Sequence, residues 1–104
     1  MNVNELNELD IEILKLVFPN EKARSAYIAI YENALREHKT KFHTMALIEI
    51  IKQNLGILRS TIAGEYLKLL DSQGAFWHPD SQKPTLLVIK PPHELIRQKE
   101  VKNE

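Results

Sequence analysis

Few side chains in this sequence have the type and spacing that catalysis or metal binding requires. The sequence contains four histidines: His38, His43, His78 and His93. They fall on different predicted elements, and no two of them have the i, i+4 spacing beside a carboxylate that a helical zinc site needs. Without cysteine there are no thiolate nucleophiles, disulfides or zinc ribbons, and the three isolated glycines form no loop that could cradle a nucleotide. We therefore expect neither an enzyme nor a protein that holds a metal or cofactor.

The composition is typical of one globular domain. Of the 104 residues, 43% are apolar and 27% are charged, and no apolar run approaches the roughly 20 residues of a membrane-spanning helix. The polar and acidic N-terminus, residues 1–5, does not resemble a signal peptide. Together with the absence of cysteine, these features predict a single domain over residues 1–104, located in the cytoplasm and without membrane contact.

Charge is balanced overall but unevenly distributed along the chain. Fourteen acidic residues offset 14 basic ones. Residues 1–18 hold four acids and one base, whereas residues 19–43 hold five bases and three acids. A net charge of zero provides no general attraction to nucleic acid, so any nucleic-acid site has to depend on local charge and shape.

Hydrophobic periodicity predicts four helices in the first three quarters of the chain. Apolar residues recur at helical intervals over four segments: 3–18, 21–38, 44–54 and 58–73. Asn20 and Thr44 are expected to cap the second and third helices. Gly56 and Gly74 suit helix C-termini that need a positive φ. Within the second helix, Tyr27 and Tyr31 are expected to pack in the core against the first helix.

The chain then changes to a strand pattern. An aromatic segment, 75–78, and a β-branched segment, 85–89, flank a polar loop, which predicts a β-hairpin. Thr40 and Phe42 can form one further short strand, and residues 93–101 a last short helix. The predicted fold class is therefore mainly α with a small β-hairpin, an α+β protein.

One segment of the sequence carries a resemblance to a known superfamily. The segment is Leu55-Gly56-Ile57-Leu58-Arg59-Ser60-Thr61-Ile62, followed by Leu67, Leu70, Gly74 and Phe76. It resembles the turn, recognition helix and start of the wing in winged helix–turn–helix DNA-binding domains, and the order of predicted elements agrees. The resemblance implies a winged-helix core over 21–90, an additional N-terminal helix over 1–18 and a C-terminal tail or short helix over 91–104. The sequence departs from the pattern at Lys52, where alanine is common, at Leu58, where a Ser or Thr cap is usual, and at Gly64 and Glu65, where DNA binders often carry a second basic residue.

The resemblance implies binding to double-stranded DNA by a small transcriptional regulator or a plasmid or viral DNA-binding adaptor. Helix 58–73 would read the major groove, which admits one α-helix, and the wing 78–85 would touch the DNA backbone. The expected contact residues are Arg59, Ser60, Thr61, Gly64 and Lys68 on the helix, Ser81, Gln82 and Lys83 in the wing, and a basic cluster of Lys39, Lys41 and His43. Glu65 would repel phosphate unless it accepts a hydrogen bond from a cytosine amino group or pairs with Lys68.

The first helix is the expected dimer element, because its apolar residues cover more than one face. The residues assigned to a homodimer contact are Leu6, Leu9, Ile13, Leu16 and Val17. This helix would pair with its two-fold mate or with the C-terminal segment, placing two recognition helices about 34 Å apart, one DNA turn. The alternative is that the helix simply covers its own domain.

A second function remains open, a winged-helix module that contacts another protein and does not bind DNA. The zero net charge, Glu65 on the presumed recognition helix and the acidic N-terminus favour it. The feature that separates the two functions is where the cations lie: Arg59, Lys68, Lys83, Lys39 and Lys41. If they share one face, DNA binding is favoured; if they scatter, protein contact is favoured.

Overall fold

A computed structural model describes residues 5–80, 82 and 85–102, with side chains described as far as Arg97. Its elements are α1 (Glu8–Val17), α2 (Glu21–Glu37), β1 (Lys41–His43), α3 (Thr44–Leu55), α4 (Ser60–Ser72), β2 (Phe76–Trp77), β3 (Leu86–Ile89) and α5 (Pro92–Lys102). The fold is mainly helical with a small antiparallel sheet, which confirms the predicted α+β class and the predicted hairpin. No helix in the described ranges has the length and apolar content needed to cross a bilayer.

Asparagine side chains determine where the first two helices begin. The Asn7 side chain accepts a hydrogen bond from the Asp10 amide at 2.9 Å, and the Asn7 amide donates to the Asp10 carboxylate at 3.0 Å. This reciprocal cap starts α1 at Glu8, so the prediction of a helix from residue 3 is wrong over residues 5–7, and residues 1–4 lie outside the described ranges. The predicted Asn20 cap of α2 is confirmed by its bond from the Ala23 amide at 3.0 Å.

The next two helices begin without such caps. The predicted Thr44 cap is wrong, because the Thr44 amide donates to the Thr85 carbonyl at 2.8 Å and Thr44 is already helical, which leaves His43 as the N-cap. Helix α4 begins at Ser60 and not at Leu58, because the N-cap Arg59 still has an extended backbone. Gly56 ends α3 with φ +66°, and Gly74 has φ +81° just beyond α4. The positive φ predicted for both glycines is confirmed.

The sheet has the order β1-β3-β2, with both pairs antiparallel. Lys41 and Trp77 are both opposite Val88, while Phe42 is opposite Leu87. Because successive strand residues point to opposite faces, the buried Phe42 and Leu87 face the core. Strand β1, which precedes α3, therefore joins the hairpin as its third strand.

The core is built around two tyrosines of α2 and Phe18, the residue that follows α1. Tyr27 and Tyr31 are buried with their ring centroids 5.9 Å apart, and Phe18 lies 5.3 Å from the Tyr27 ring, which confirms the expected packing of the tyrosine pair. Leu14 at the C-terminal half of α1 is fully buried, and α1 packs against α5. One face of α1 thus covers its own domain.

Candidate nucleic-acid interface

Helices α3 and α4 pack against each other, and backbone and side-chain bonds hold the turn between them. After Gly56, the Ile57 amide donates to the Lys52 carbonyl at 3.0 Å. The half-buried Lys52 ammonium donates to the Ser60 hydroxyl at 3.2 Å and to the Glu49 carboxylate at 3.4 Å. Lys52, where the superfamily often has alanine, thus links α3 to the first residue of α4. Its contribution to the turn was not foreseen from the sequence, because the partner lies eight residues away.

The outward face of α4 is polar in its centre. Ala63, Leu67 and Leu70 are buried against the core. Thr61, Glu65 and Lys68 are exposed on the opposite side, at i, i+4 and i+7 spacing. The expected contact residues Thr61 and Lys68 therefore share one face, with Glu65 between them.

Gly64 lies at the edge of this face and is half-buried. A Cβ atom placed there would lie 3.9 Å from the Ile48 side chain, an ordinary van der Waals distance. Packing within the chain therefore does not require glycine at this position.

Arg59 lies on one flank of α4, in a groove of about 710 Å³ between the N-terminus of α2, the α3–α4 turn and the first turns of α4. Its lining is Glu21, Lys22, Ser25, Asn54, Leu55, Ile57, Leu58, Arg59, Ile62 and Tyr66, and it is called the Arg59 groove below. Lys22 and Arg59 are both exposed cations in this groove. Neither Lys22 nor the apolar Leu58, which is 92% exposed, is predicted from the sequence as a site residue, because the groove forms only when α2 packs beside α4.

Lys68 lies on the other flank, in a smaller groove of about 220 Å³. It shares this groove with Thr44 at the start of α3, Leu87 of β3 and Asp71 near the end of α4. His43, the N-cap of α3, comes immediately before Thr44, and its side chain makes no capping bond. A cation and an uncapped helix N-terminus are therefore neighbours on this side of α4.

The predicted basic cluster is spread along β1. His43 is opposite Leu86, at the end of the strand nearest the wing, and Lys41 is opposite Val88, two residues or about 6.6 Å further away. Lys39 precedes the strand, and its ammonium lies 4.9 Å from the centre of the Phe42 ring. Of these three residues, His43 alone adjoins the start of α3.

The wing is only partly described. Ser81 and Lys83, both expected DNA contacts, lie outside the described residues. Gln82 is exposed, and its amide donates to the Asp80 carboxylate at 2.9 Å. At the base of the wing the His78 ring nitrogen is 2.8 Å from the Asp71 carboxylate, which connects the hairpin to the end of α4.

The described cations therefore do not gather in one patch. Arg59 and Lys68 line different grooves on the two sides of α4. Lys41 lies on β1, and Lys39 lies before it. In the described part of the chain, no three His, Asp or Glu side chains come together as a metal site would require.

The residues expected at a dimer contact differ in exposure. Leu9 and Leu16 are 69% and 60% exposed, whereas Leu6 and Ile13 are half-buried. Val17 is buried in the core of its own chain, so a second copy has no access to it. Helix α1 thus covers its own domain with one face and exposes leucines on the other.

Comparisons of the whole chain with known proteins assign no function to these surfaces. No protein-family model, no curated protein and no solved structure matches the chain. The function has to be inferred from the geometry and chemistry of the chain's own residues.

Proposed function

We propose that this protein binds double-stranded DNA in a sequence-specific manner, with α4 in the major groove, as a transcriptional regulator or a plasmid or viral DNA-binding adaptor. The observation that carries the proposal is the exposed polar face of α4, formed by Thr61, Glu65 and Lys68. Arg59 lies in the groove on one side of this face, and Lys68 borders the groove on the other side. A helix lying in the major groove has a phosphate backbone on each side, so cations on both flanks suit that position.

The helix starts support contacts to phosphate. Helices α1 and α2 are capped by asparagine oxygens, whereas α3 and α4 have the basic N-caps His43 and Arg59 and no side-chain cap bond. First-turn amides and the positive end of the helix dipole attract anions. A DNA phosphate at each of these starts would accept hydrogen bonds from first-turn amides that no cap side chain accepts.

Base recognition would depend on the centre of the α4 face. Thr61 offers a short hydroxyl for base edges or backbone, and Lys68 a donor for guanine or phosphate. Glu65 can accept a hydrogen bond from a cytosine amino group. It would therefore contribute to the choice of DNA sequence and not to the general affinity for DNA.

The first experiment is a fluorescence-anisotropy titration of duplex DNA, using random and genomic fragments over a range of salt concentrations. Arg59→Ala and Lys68→Ala are each expected to weaken binding by roughly 1–3 kcal/mol without unfolding the chain, since both side chains are exposed. Lys15→Ala is the matched control, because Lys15 is an exposed cation on α1 paired with Glu12 at 3.4 Å. Equal affinities for all four proteins would contradict the assignment of α4.

The second candidate function, contact with a protein without DNA binding, is favoured by two observations. The first is the scatter of the described cations, because Arg59 and Lys68 line different grooves and Lys39 and Lys41 lie before and on β1. The second is that Glu65 occupies the middle of the exposed face of α4, where a duplex would bring phosphates close, and the chain has no net positive charge to offset it. The same titration separates the two functions, because DNA binding is strongest at low salt. The absence of binding there would favour the protein-contact function.

A further inference from the structure

Exposed apolar side chains concentrate on two surfaces of the described chain. The first is the outer face of α1, defined here by Leu9, Glu12 and Leu16, whose leucines are 69% and 60% exposed. The second is the Arg59 groove, where Leu58 is 92% and Ile62 is 42% exposed. Isolated exposed apolar residues are ordinary, but clusters of them on a small domain indicate a contact surface.

The outer face of α1 has the pattern of a helix that docks in a groove. Leu9 and Leu16 are seven residues apart, two turns of a helix that is about 15 Å long. The carboxylates Glu8 and Glu12 are exposed on one side of these leucines, and Glu12 is paired with Lys15 at 3.4 Å. This face is therefore an apolar stripe with one acidic edge, on which Glu8 is the carboxylate without an ion pair in the described part of the chain.

The Arg59 groove has the opposite charge pattern around an apolar floor. Leu55, Ile57 and Tyr66 are half-buried within it, and the cations Lys22 and Arg59 are exposed in its lining, together with one acid, Glu21. Neither Lys22 nor Arg59 forms an ion pair within the described ranges. The groove thus offers apolar contact and two unpaired cations to an occupant with an acidic edge.

We propose that the outer face of α1 of one copy docks in the Arg59 groove of a second copy. Leu9 and Leu16 would cover Leu58 and Ile62, while the acidic edge of α1 would face Lys22 and Arg59. One short helix in one groove is small beside the roughly 1,200–2,000 Å² buried in a stable interface. A two-fold pair makes the same contact twice, which gives a closed dimer.

This contact differs from the pairing of two α1 helices that the sequence predicted. It joins two different surfaces of the chain, so a change on either surface weakens the dimer. Because Arg59 lies in the groove and is also assigned to DNA contact, the docked helix and DNA would compete for it. Self-association is nevertheless measured without DNA, so its test is separate from that of the proposed function.

The test is sedimentation velocity of the full chain across the micromolar range. The wild-type protein is expected to form a dimer, and Leu16→Glu and Leu58→Glu are each expected to weaken dimerisation roughly tenfold or more, because each places a carboxylate in an apolar contact. Met45→Glu is the matched control, since Met45 is 77% exposed on α3 and lies outside both surfaces. Circular dichroism verifies that all three variants fold.

Each alternative arrangement gives a different result that overturns the proposal. A loss of dimer with Leu16→Glu alone would indicate α1 paired with its mate, and a loss with Leu58→Glu alone would indicate groove against groove. A monomeric wild-type protein would leave the groove to a partner of another kind.

Cross-linking tests the pairing of the two surfaces directly, because the chain contains no native cysteine. In an oxidised equimolar mixture of Leu16→Cys and Leu58→Cys proteins of different tagged mass, the mixed disulfide is expected to exceed the two symmetric products taken together, since random pairing makes them equal. A Met45→Cys protein mixed with Leu58→Cys supplies the background. Symmetric products in excess of the mixed product would contradict docking of α1 in the groove.

Discussion

The Tyr27 hydroxyl donates a hydrogen bond to the Lys90 carbonyl oxygen, 63 positions further along the chain. This bond joins α2 to the residue that follows β3. It also gives a partner to the polar end of a fully buried phenol whose ring packs between Phe18 and Tyr31. The sheet that carries the wing is thereby attached to the helical core.

Replacing Tyr27 with Phe removes this bond and keeps the ring. The free energy of unfolding is expected to fall by about 1–2 kcal/mol, because the Lys90 carbonyl loses a donor in a buried environment. Urea denaturation measures the change. Tyr66→Phe is the control, since the Tyr66 hydroxyl makes no hydrogen bond in the described part of the chain, and equal losses in the two variants would show that the bond contributes nothing.

Tyr27 should also make stability depend on pH in alkaline solution. Burial, and to a lesser extent the neighbouring Tyr31 and Asp10, raise the pKa of Tyr27 well above its usual value. Above about pH 10 this tyrosine ionises in the unfolded chain but not in the folded one. The unfolded state then binds fewer protons, so the free energy of unfolding decreases as pH rises.

Denaturation of the wild-type and Tyr27→Phe proteins at a series of pH values isolates this contribution, because the other titrating groups cancel in the difference. We expect the stability advantage of the wild-type protein to be constant below about pH 10 and to shrink above it. A difference that stays constant through the alkaline range would show that Tyr27 titrates normally.

Gly56 at the end of α3 and Gly64 within α4 should respond to alanine with opposite signs. Gly56 has φ +66°, and no atom lies within 4 Å of the position that an alanine methyl group would occupy, so Gly56→Ala should cost about 1–2 kcal/mol from backbone strain alone. Gly64 lies inside α4 with its nearest contact at 3.9 Å, so Gly64→Ala should stabilise by about 0.5–1 kcal/mol. Urea denaturation of both variants checks the pair, and a loss of stability at both positions would contradict the open packing around Gly64.

Glu65 distinguishes DNA binding from protein contact. If α4 lies in a DNA groove, Glu65→Gln should strengthen binding to random duplexes by about 1 kcal/mol, because it removes a repulsion from phosphate. Anisotropy titration at low salt measures it, and Glu32→Gln controls for the change in net charge, because Glu32 is exposed on α2 and forms no ion pair in the described part of the chain. If both variants bind DNA as the wild-type protein does, Glu65 does not face the duplex.

Local signals explain which features were predictable. Asn20 and Gly56 act within one turn of the chain, as a cap and a left-handed helix end, and both were predicted correctly. The start of α1 was misplaced because apolar spacing extends the helical pattern before Glu8, whereas the Asn7 cap ends it. The Thr44 cap was wrong because pairing of the preceding strand with β3 had to be known first.

The amino-acid sequence alone determined the order of helices and strands, since caps, glycines and hydrophobic period operate over a few neighbouring residues. Only the tertiary structure decided which residues the cations lie beside. Arg59 lines the same groove as Lys22 of α2, and Lys68 lines the same groove as Thr44 at the start of α3. The tertiary structure also decided that Val17 is buried while Leu9 and Leu16 remain exposed. These placements depend on how distant helices pack against one another. Hydrophobic burial drives that packing and is non-directional, so a local sequence pattern does not show which helices will be in contact.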